Sequence, residues 1–229
     1  MKEIKVKNLD CLISEYPSGG KIVYMIYPAI VPLNHEWIRE MSEKYKLTIV
    51  VVYIPAYGWN DMLTPWPEPG ETPDAPPFAG KASDTLKTLQ EEVIPRTEAI
   101  LNNIKVEERD LLGVSLSGLF TLWAWLQCDT FKSIASLSGS FWYPGFIQWF
   151  EKQIIPAKNG KAFFLLGVKE PKAWVKAYRS VGVNTEAIVN KLKACGIDTL
   201  FEWVPGNHIS NPLERAEAAL KALATPNIV

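Results

Sequence analysis

The chain of 229 residues carries 24 basic against 25 acidic side chains, and 48% of it is hydrophobic. Such a near-neutral balance excludes the broad electrostatic attraction that nucleic acid or an anionic membrane exerts, and no stretch approaches the roughly 20 apolar residues of a membrane-spanning helix. The length suits one hydrophobic core, so a single domain over residues 1–229 is predicted.

In chain order, residues 4–6 and 12–16 read as edge strands, and residues 22–27 and 47–54 as near-continuous apolar strands covered on both faces. Between them Asn34 is the expected N-cap of a helix that carries Trp37, Ile38, Met41 and Tyr45 on one face. Residues 55–80 hold seven of the seventeen prolines and show no periodicity. Tyr57, Trp59, Trp66 and Phe78 make this stretch too aromatic for a solvated linker, so it is expected to be an ordered loop walling a pocket. Residues 82–104 then read as a long helix with Leu86, Leu89, Val93, Ile100 and Leu101 inward, kinked or broken by Pro95.

Further strands are expected at 110–114, 133–137, 162–167 and 199–204, and helices at 115–127, 145–154, 184–194 and 212–223. The helix at 115–127 is apolar nearly all round and should be the most buried. Strand–helix alternation of this kind implies an α/β fold: a mostly parallel sheet of about eight strands with helices on both faces. The N-terminal MKEIKVKNLD has no apolar run before a small-residue cleavage site. Cys11, Cys128 and Cys195 make neither a metal-type pair nor an even disulfide set. A reduced, cytoplasmic protein is the expectation.

The chemistry concentrates at Gly113-Val114-Ser115-Leu116-Ser117-Gly118, where a serine sits between a strand end and a buried helix. A nucleophile elbow needs small neighbours there, because its serine occupies a strained backbone conformation and the helix packs closely on the strand. Ser117 stands where such elbows carry a second glycine, which is tolerable if its hydroxyl finds a backbone partner. A phosphate-binding loop would need Lys and Ser/Thr after Gly118, but Leu119 and Phe120 follow.

Only two histidines are present, His35 and His208. His208 lies in Gly206-Asn207-His208, directly after the last expected strand, where an α/β-hydrolase places its catalytic base. His35, upstream of the serine, is expected to be structural or pocket-lining. For the acid, Glu170 follows the strand at 162–167 by three residues, with Asp198 as the alternative. The topology suggests Leu116 and Ala29 as backbone donors of an oxyanion hole, because Pro28 has no N–H.

These residues together resemble the esterase D branch of the α/β-hydrolases, which includes enterobactin-type siderophore esterases, S-formylglutathione hydrolases and small bacterial esterases. The resemblance rests on GVSLSGLF, on SLSGSFWYPGF up to Phe146, on Trp59, Asp61, Pro65, Trp66 and Pro67, and on FEWVPGNH ending at His208. It implies a serine carboxylic-ester hydrolase that needs no cofactor or metal and acts on a small-molecule ester. No nucleic-acid or membrane partner is implied. Three departures stand out: Tyr27-Pro28 replaces the His-Gly pair of the oxyanion loop, Ser117 replaces a glycine, and Val168 stands where related enzymes often carry the acid. Trp59, Trp66 and Trp142, with Tyr27, are the expected substrate-binding residues, since indoles can stack on a planar ring. A thioesterase, or a non-catalytic binding module on the same fold, are the competing readings.

Overall fold

The computed structural model describes residues 1–16, 20–101, 105–156 and 159–225. Eight strands form the main sheet: β1 Lys2–Val6, β2 Leu9–Ser14, β3 Lys21–Pro28, β4 Thr48–Ile54, then, after a two-stranded ribbon of β5 Pro67–Glu68 and β6 Phe78–Ala79, β7 Glu108–Val114, β8 Ser133–Leu137, β9 Lys161–Gly167 and β10 Asp198–Val204. Their order across the sheet is β1-β2-β4-β3-β7-β8-β9-β10. Pairing is parallel from β4 to β10, with β1 and β2 antiparallel at one side.

The edges are β1 and β10. The expectation of two N-terminal edge strands is therefore corrected: β2 pairs on both sides, with β1 and with β4. Its Leu12 and Ile13 are both buried, one in the core on each face of the sheet.

Among the described residues eight α-helices pack around the sheet: α1 His35–Tyr45, α2 Trp59–Met62, α3 Ala82–Thr88, α4 Ile94–Ile100, α5 Leu116–Gln127, α6 Phe146–Lys152, α7 Val181–Ala194 and α8 Pro212–Ala224. Alternation along β3 divides the core. Ile22, Tyr24 and Ile26 join the layer containing α3, α4, α5 and α7. Val23, Met25 and Tyr27 join the layer of Ile38 and Met41 from α1 and of Ala216, Ala219, Leu220 and Leu223 from α8. As its composition dictates, α5 packs on β7 and β8 with ten of its twelve residues buried.

Local signals account for most boundaries. Asn34 caps α1 by accepting from the N–H groups of Glu36 (2.8 Å) and Trp37 (3.3 Å). The expected long helix is divided, with a π-helical turn at Leu89–Val93 between α3 and α4. Pro95 follows as the second residue of α4. It cannot donate to the carbonyl of Glu91 and its ring crowds that oxygen, so the widened turn relieves the conflict. Residues 102–104 of that expected helix lie outside the described residues. The proline-rich stretch is ordered as anticipated. A 3₁₀ turn at Ala56–Gly58, α2 and the β5–β6 ribbon are fastened by Thr64, whose hydroxyl donates to Asn60 O (2.7 Å) and accepts from the Gly80 N–H (3.3 Å). No helix among the described residues is long and apolar enough to cross a membrane.

Candidate active site

All the parallel strands point their C-terminal ends toward one rim of the sheet, where loops converge and open α/β sheets hold their ligands. Ser115 follows β7 with φ 59° and ψ −123°, a conformation that side chains adopt only under strain. The strain is held by two ladder-like bonds: its N–H donates to Leu137 O (3.0 Å) and its carbonyl accepts from the Ser140 N–H (3.0 Å). Gly113 is required by contact. A Cβ there would stand 2.1 Å from the carbonyl oxygen of Ser117. The hydroxyl of Ser117 meets the condition set for it, lying 2.7 Å from Ile26 O and 2.8 Å from Val114 O while accepting from the Val114 N–H (2.8 Å).

The hydroxyl oxygen of Ser115 lies 3.0 Å from His208 Nε2, and His208 Nδ1 lies 2.8 Å from Glu170 Oε2. His208 stands on the turn after β10, and Glu170 opens a 3₁₀ turn, Glu170–Lys172, just past β9. The two loops are joined by Val168 N–H donating to Val204 O (2.9 Å) and Lys169 N–H donating to Gly206 O (3.0 Å). Glu170 is buried at 5% exposure. Its Oε1 accepts from the Ser138 hydroxyl (2.7 Å), the Gly167 N–H (2.7 Å) and Arg215 Nη1 (3.1 Å). Burial pushes this carboxyl up. The hydrogen bonds from His208 and Ser138, the charge of His208 and the Gly167 N–H outweigh burial and hold it below the usual glutamate range. Asp198, the alternative acid, begins β10 opposite Lys161 and so sits at the far end of the sheet.

Serine, imidazole and carboxylate thus form one hydrogen-bonded line. In that geometry the imidazole can take a proton from the hydroxyl while the carboxylate fixes its tautomer and stabilises the imidazolium.

The donor side departs from expectation. Leu116 opens α5, so its N–H has no carbonyl within the helix and it lines the cavity beside Ser115. Ala29 does not serve as anticipated, because its N–H donates to Ile54 O (2.9 Å). The parallel β3–β4 ladder runs one bond past Pro28, which has no N–H of its own, and takes up the Ala29 donor. In the same turn Val31 N–H donates to Pro28 O (3.2 Å), while the Ile30 N–H has no acceptor among the described residues.

A cavity of about 440 Å³ opens over Ser115 and His208, lined by Trp59, Asn60, Glu71, Ser140, Trp142 and Tyr178. Trp142 and Tyr178 lie ring to ring at 4.5 Å. Burial and the neighbouring Glu71 carboxylate push the Tyr178 phenol up to about 12, so it stays a neutral donor. Two expected pocket residues are elsewhere. Tyr27 points into the layer shared with α1 and α8 and is 4% exposed, because strand alternation sends its neighbour Ile26 the other way. Trp66 is structural. Its indole N–H donates to Pro144 O (3.0 Å), its carbonyl accepts from the Tyr143 hydroxyl (2.6 Å), and its ring stacks on Phe146 at 6.3 Å. His35 is at the surface at the start of α1, 3.7 Å from Glu3.

Sequence reasoning missed Ser138, Arg215 and Tyr178. Ser138 stood inside a noted motif without a role, and no period-based signal could single out a tyrosine 63 residues past the serine in the chain. Arg215 adjoins the apolar stripe 216, 219, 220, 223, and a basic residue flanking such a stripe ordinarily faces water. Among the described residues no three His, Cys, Asp or Glu side chains gather as a metal site requires.

The model of the Esterase family matches residues 27–187. A curated relative, the Bacillus subtilis strain 168 protein YbbA, is 25% identical over 150 residues, 65% of this chain and 60% of that protein. Among solved structures, an IroE-like serine hydrolase from Shewanella oneidensis superposes at a TM-score of 0.76 with 16% identity, covering 93% of this chain and 74% of that one. The siderophore hydrolase EstA from Aspergillus nidulans does so at 0.73 with 18% identity, over 97% and 93%. For the enterobactin and salmochelin hydrolase IroE the values are 0.68 and 22%, over 94% and 88%.

Proposed function

The chain belongs to the Esterase family, has the α/β-hydrolase fold and is a carboxylic-ester hydrolase, and from that premise we propose that it cleaves a small-molecule ester through an acyl-enzyme on Ser115. The observation that carries this reading is the line Ser115–His208–Glu170, at 3.0 and 2.8 Å, in the floor of an aromatic-walled cavity. Ser115 Oγ attacks the ester carbonyl carbon as its proton passes to His208 Nε2. The carbonyl electron pair moves onto oxygen, and the Leu116 N–H donates to it. Collapse breaks the bond to the alcohol oxygen, which takes the proton from His208. Water then attacks the acyl carbon, gives its proton to His208, and Ser115 recovers that proton as the acid leaves. Glu170 remains anionic throughout and orients the imidazole.

Trp59 and the Trp142–Tyr178 pair suit a substrate with a planar aromatic group. The fold neighbours named as siderophore hydrolases place siderophore esters in the same screen. Intact-mass labelling with a fluorophosphonate is the test: one adduct on the native chain, none on Ser115→Ala, and a fall in p-nitrophenyl ester turnover of about 10⁴-fold or more. An adduct that persists in Ser115→Ala would sink the assignment. Thioesters run alongside oxygen esters decide which bond the site prefers.

A further inference from the structure

Arg215 is a guanidinium at 5% exposure near the start of α8, and it touches neither the nucleophile nor the imidazole. Its Nη1 donates to Ser138 Oγ (2.7 Å) and Glu170 Oε1 (3.1 Å), and its Nη2 donates to Asn207 O (2.7 Å), the carbonyl just before His208. Its Nε finds no partner among the described residues. Stability alone accounts poorly for such a group. A buried ion pair is often matched by well-packed apolar residues of similar volume, and an unpaired buried N–H is a cost.

The arrangement around the carboxylate suggests what the charge does. Three donors, Ser138, the Gly167 N–H and Arg215, all converge on Oε1, while Oε2 has His208 as its partner. The two oxygens are thereby made inequivalent. We propose that Arg215 is a positioning residue that acts through Glu170, fixing which carboxylate oxygen faces His208 Nδ1. The bond to Asn207 O holds the guanidinium in the plane that allows this, and Ser138, itself at φ 48°, carries the second contact between Arg215 and the acid. A lysine could supply the charge but not a planar fork reaching three acceptors, so the site specifies arginine. The proposal rests on the Ser115–His208–Glu170 reading and deepens it.

Two readouts test it, one of them independent of turnover. The Nδ1 proton of an imidazole bonded to a carboxylate resonates far downfield in proton NMR, and with His35 exposed at the surface the signal belongs to His208. It should be present in the native chain, absent in Glu170→Gln, and lost or displaced in Arg215→Met. With p-nitrophenyl acetate, Arg215→Met should lower kcat by about 10- to 100-fold with KM within about 3-fold, since what is lost operates only in the transition state. Arg215→Lys should recover part of kcat. In a Glu170→Gln background the Arg215→Met step should cost less than about 3-fold, because the residue through which it acts is gone.

Thermal melts establish that each variant is folded, and the Arg215→Met/Glu170→Gln pair, which removes both buried charges, serves if Arg215→Met alone does not fold. An unmoved Nδ1 resonance in folded Arg215→Met overturns the proposal, and so does a full kcat loss persisting in the Glu170→Gln background. Failure of Ser115→Ala to abolish labelling would instead overturn the hydrolase assignment, while the NMR readout still judges Arg215.

Discussion

Two carboxylates are buried at opposite ends of the same sheet, and their surroundings push their pKa values in opposite directions. Asp110, near the start of β7 and 0% exposed, faces Lys21 Nζ at 2.8 Å and accepts one N–H, from Ser133 at 2.9 Å. Burial dominates there and pushes its carboxyl above the ordinary aspartate range despite the lysine. Glu170, past the end of β9, is almost as buried, yet it is held below the ordinary glutamate range by the number of donors aimed at it. At Asp110 the lysine and one N–H do not offset burial, whereas at Glu170 several hydrogen bonds together with the His208 charge do.

The two ends are joined by α8. Lys21 Nζ donates to Leu223 O (2.7 Å) and Lys161 Nζ to Thr225 O (2.8 Å), which fastens the helix C-terminus, while its first turn carries Arg215 to the acid. Cations on C-terminal carbonyls also complement the helix dipole.

The sharpest way to break this comparison is to neutralise each acid in turn. Glu170→Gln should lower kcat by about 10²- to 10⁴-fold, as loss of the orienting carboxylate does in serine hydrolases, whereas Asp110→Asn should leave kcat within about 2-fold. On stability, urea titration of Asp110→Asn should show a loss of about 1–3 kcal/mol, since a buried hydrogen-bonded pair is disturbed.

A subtler contrast lies in pH. Glu170 has a lowered native value, so its contribution is complete above the ordinary glutamate pKa of about 4.3 and is lost as pH falls through the native value. Asp110 has a raised one, so the native state binds its proton more tightly and stability declines as pH rises from the ordinary aspartate range through the native value. Chemical denaturation across that range should show Glu170→Gln flattening the acid-side loss and Asp110→Asn removing the decline. If both variants shift the curve in one direction, the opposition between the two sites is wrong.

The smallest effect concerns the strand that runs from one region to the other. Ser117→Ala deletes the hydroxyl that ties α5 to β3 and β7, and should cost about 1 kcal/mol while leaving kcat nearly unchanged. A large kcat loss would mean that this hydroxyl shapes the elbow itself.

Much of the molecule was legible in the residue order because it depends on local chemistry. The apolar runs of β3, β4, β7 and β9, the Asn34 cap, the break at Pro95 and the small residues around Ser115 all follow from propensity, burial and steric fit within a few positions. Chain order gave His208 its place, because the loops after parallel strands must emerge on one rim. What only the tertiary structure decided were relations between side chains brought together from distant segments. The ladder bond that occupies the Ala29 N–H depends on the register of β3 against β4. The inward turn of Tyr27 depends on strand parity within the closed sheet. Arg215 reaches Glu170 across 45 positions of sequence, and no periodic pattern records such a contact, because a buried charge is stabilised by partners that the fold supplies and the neighbouring residues do not.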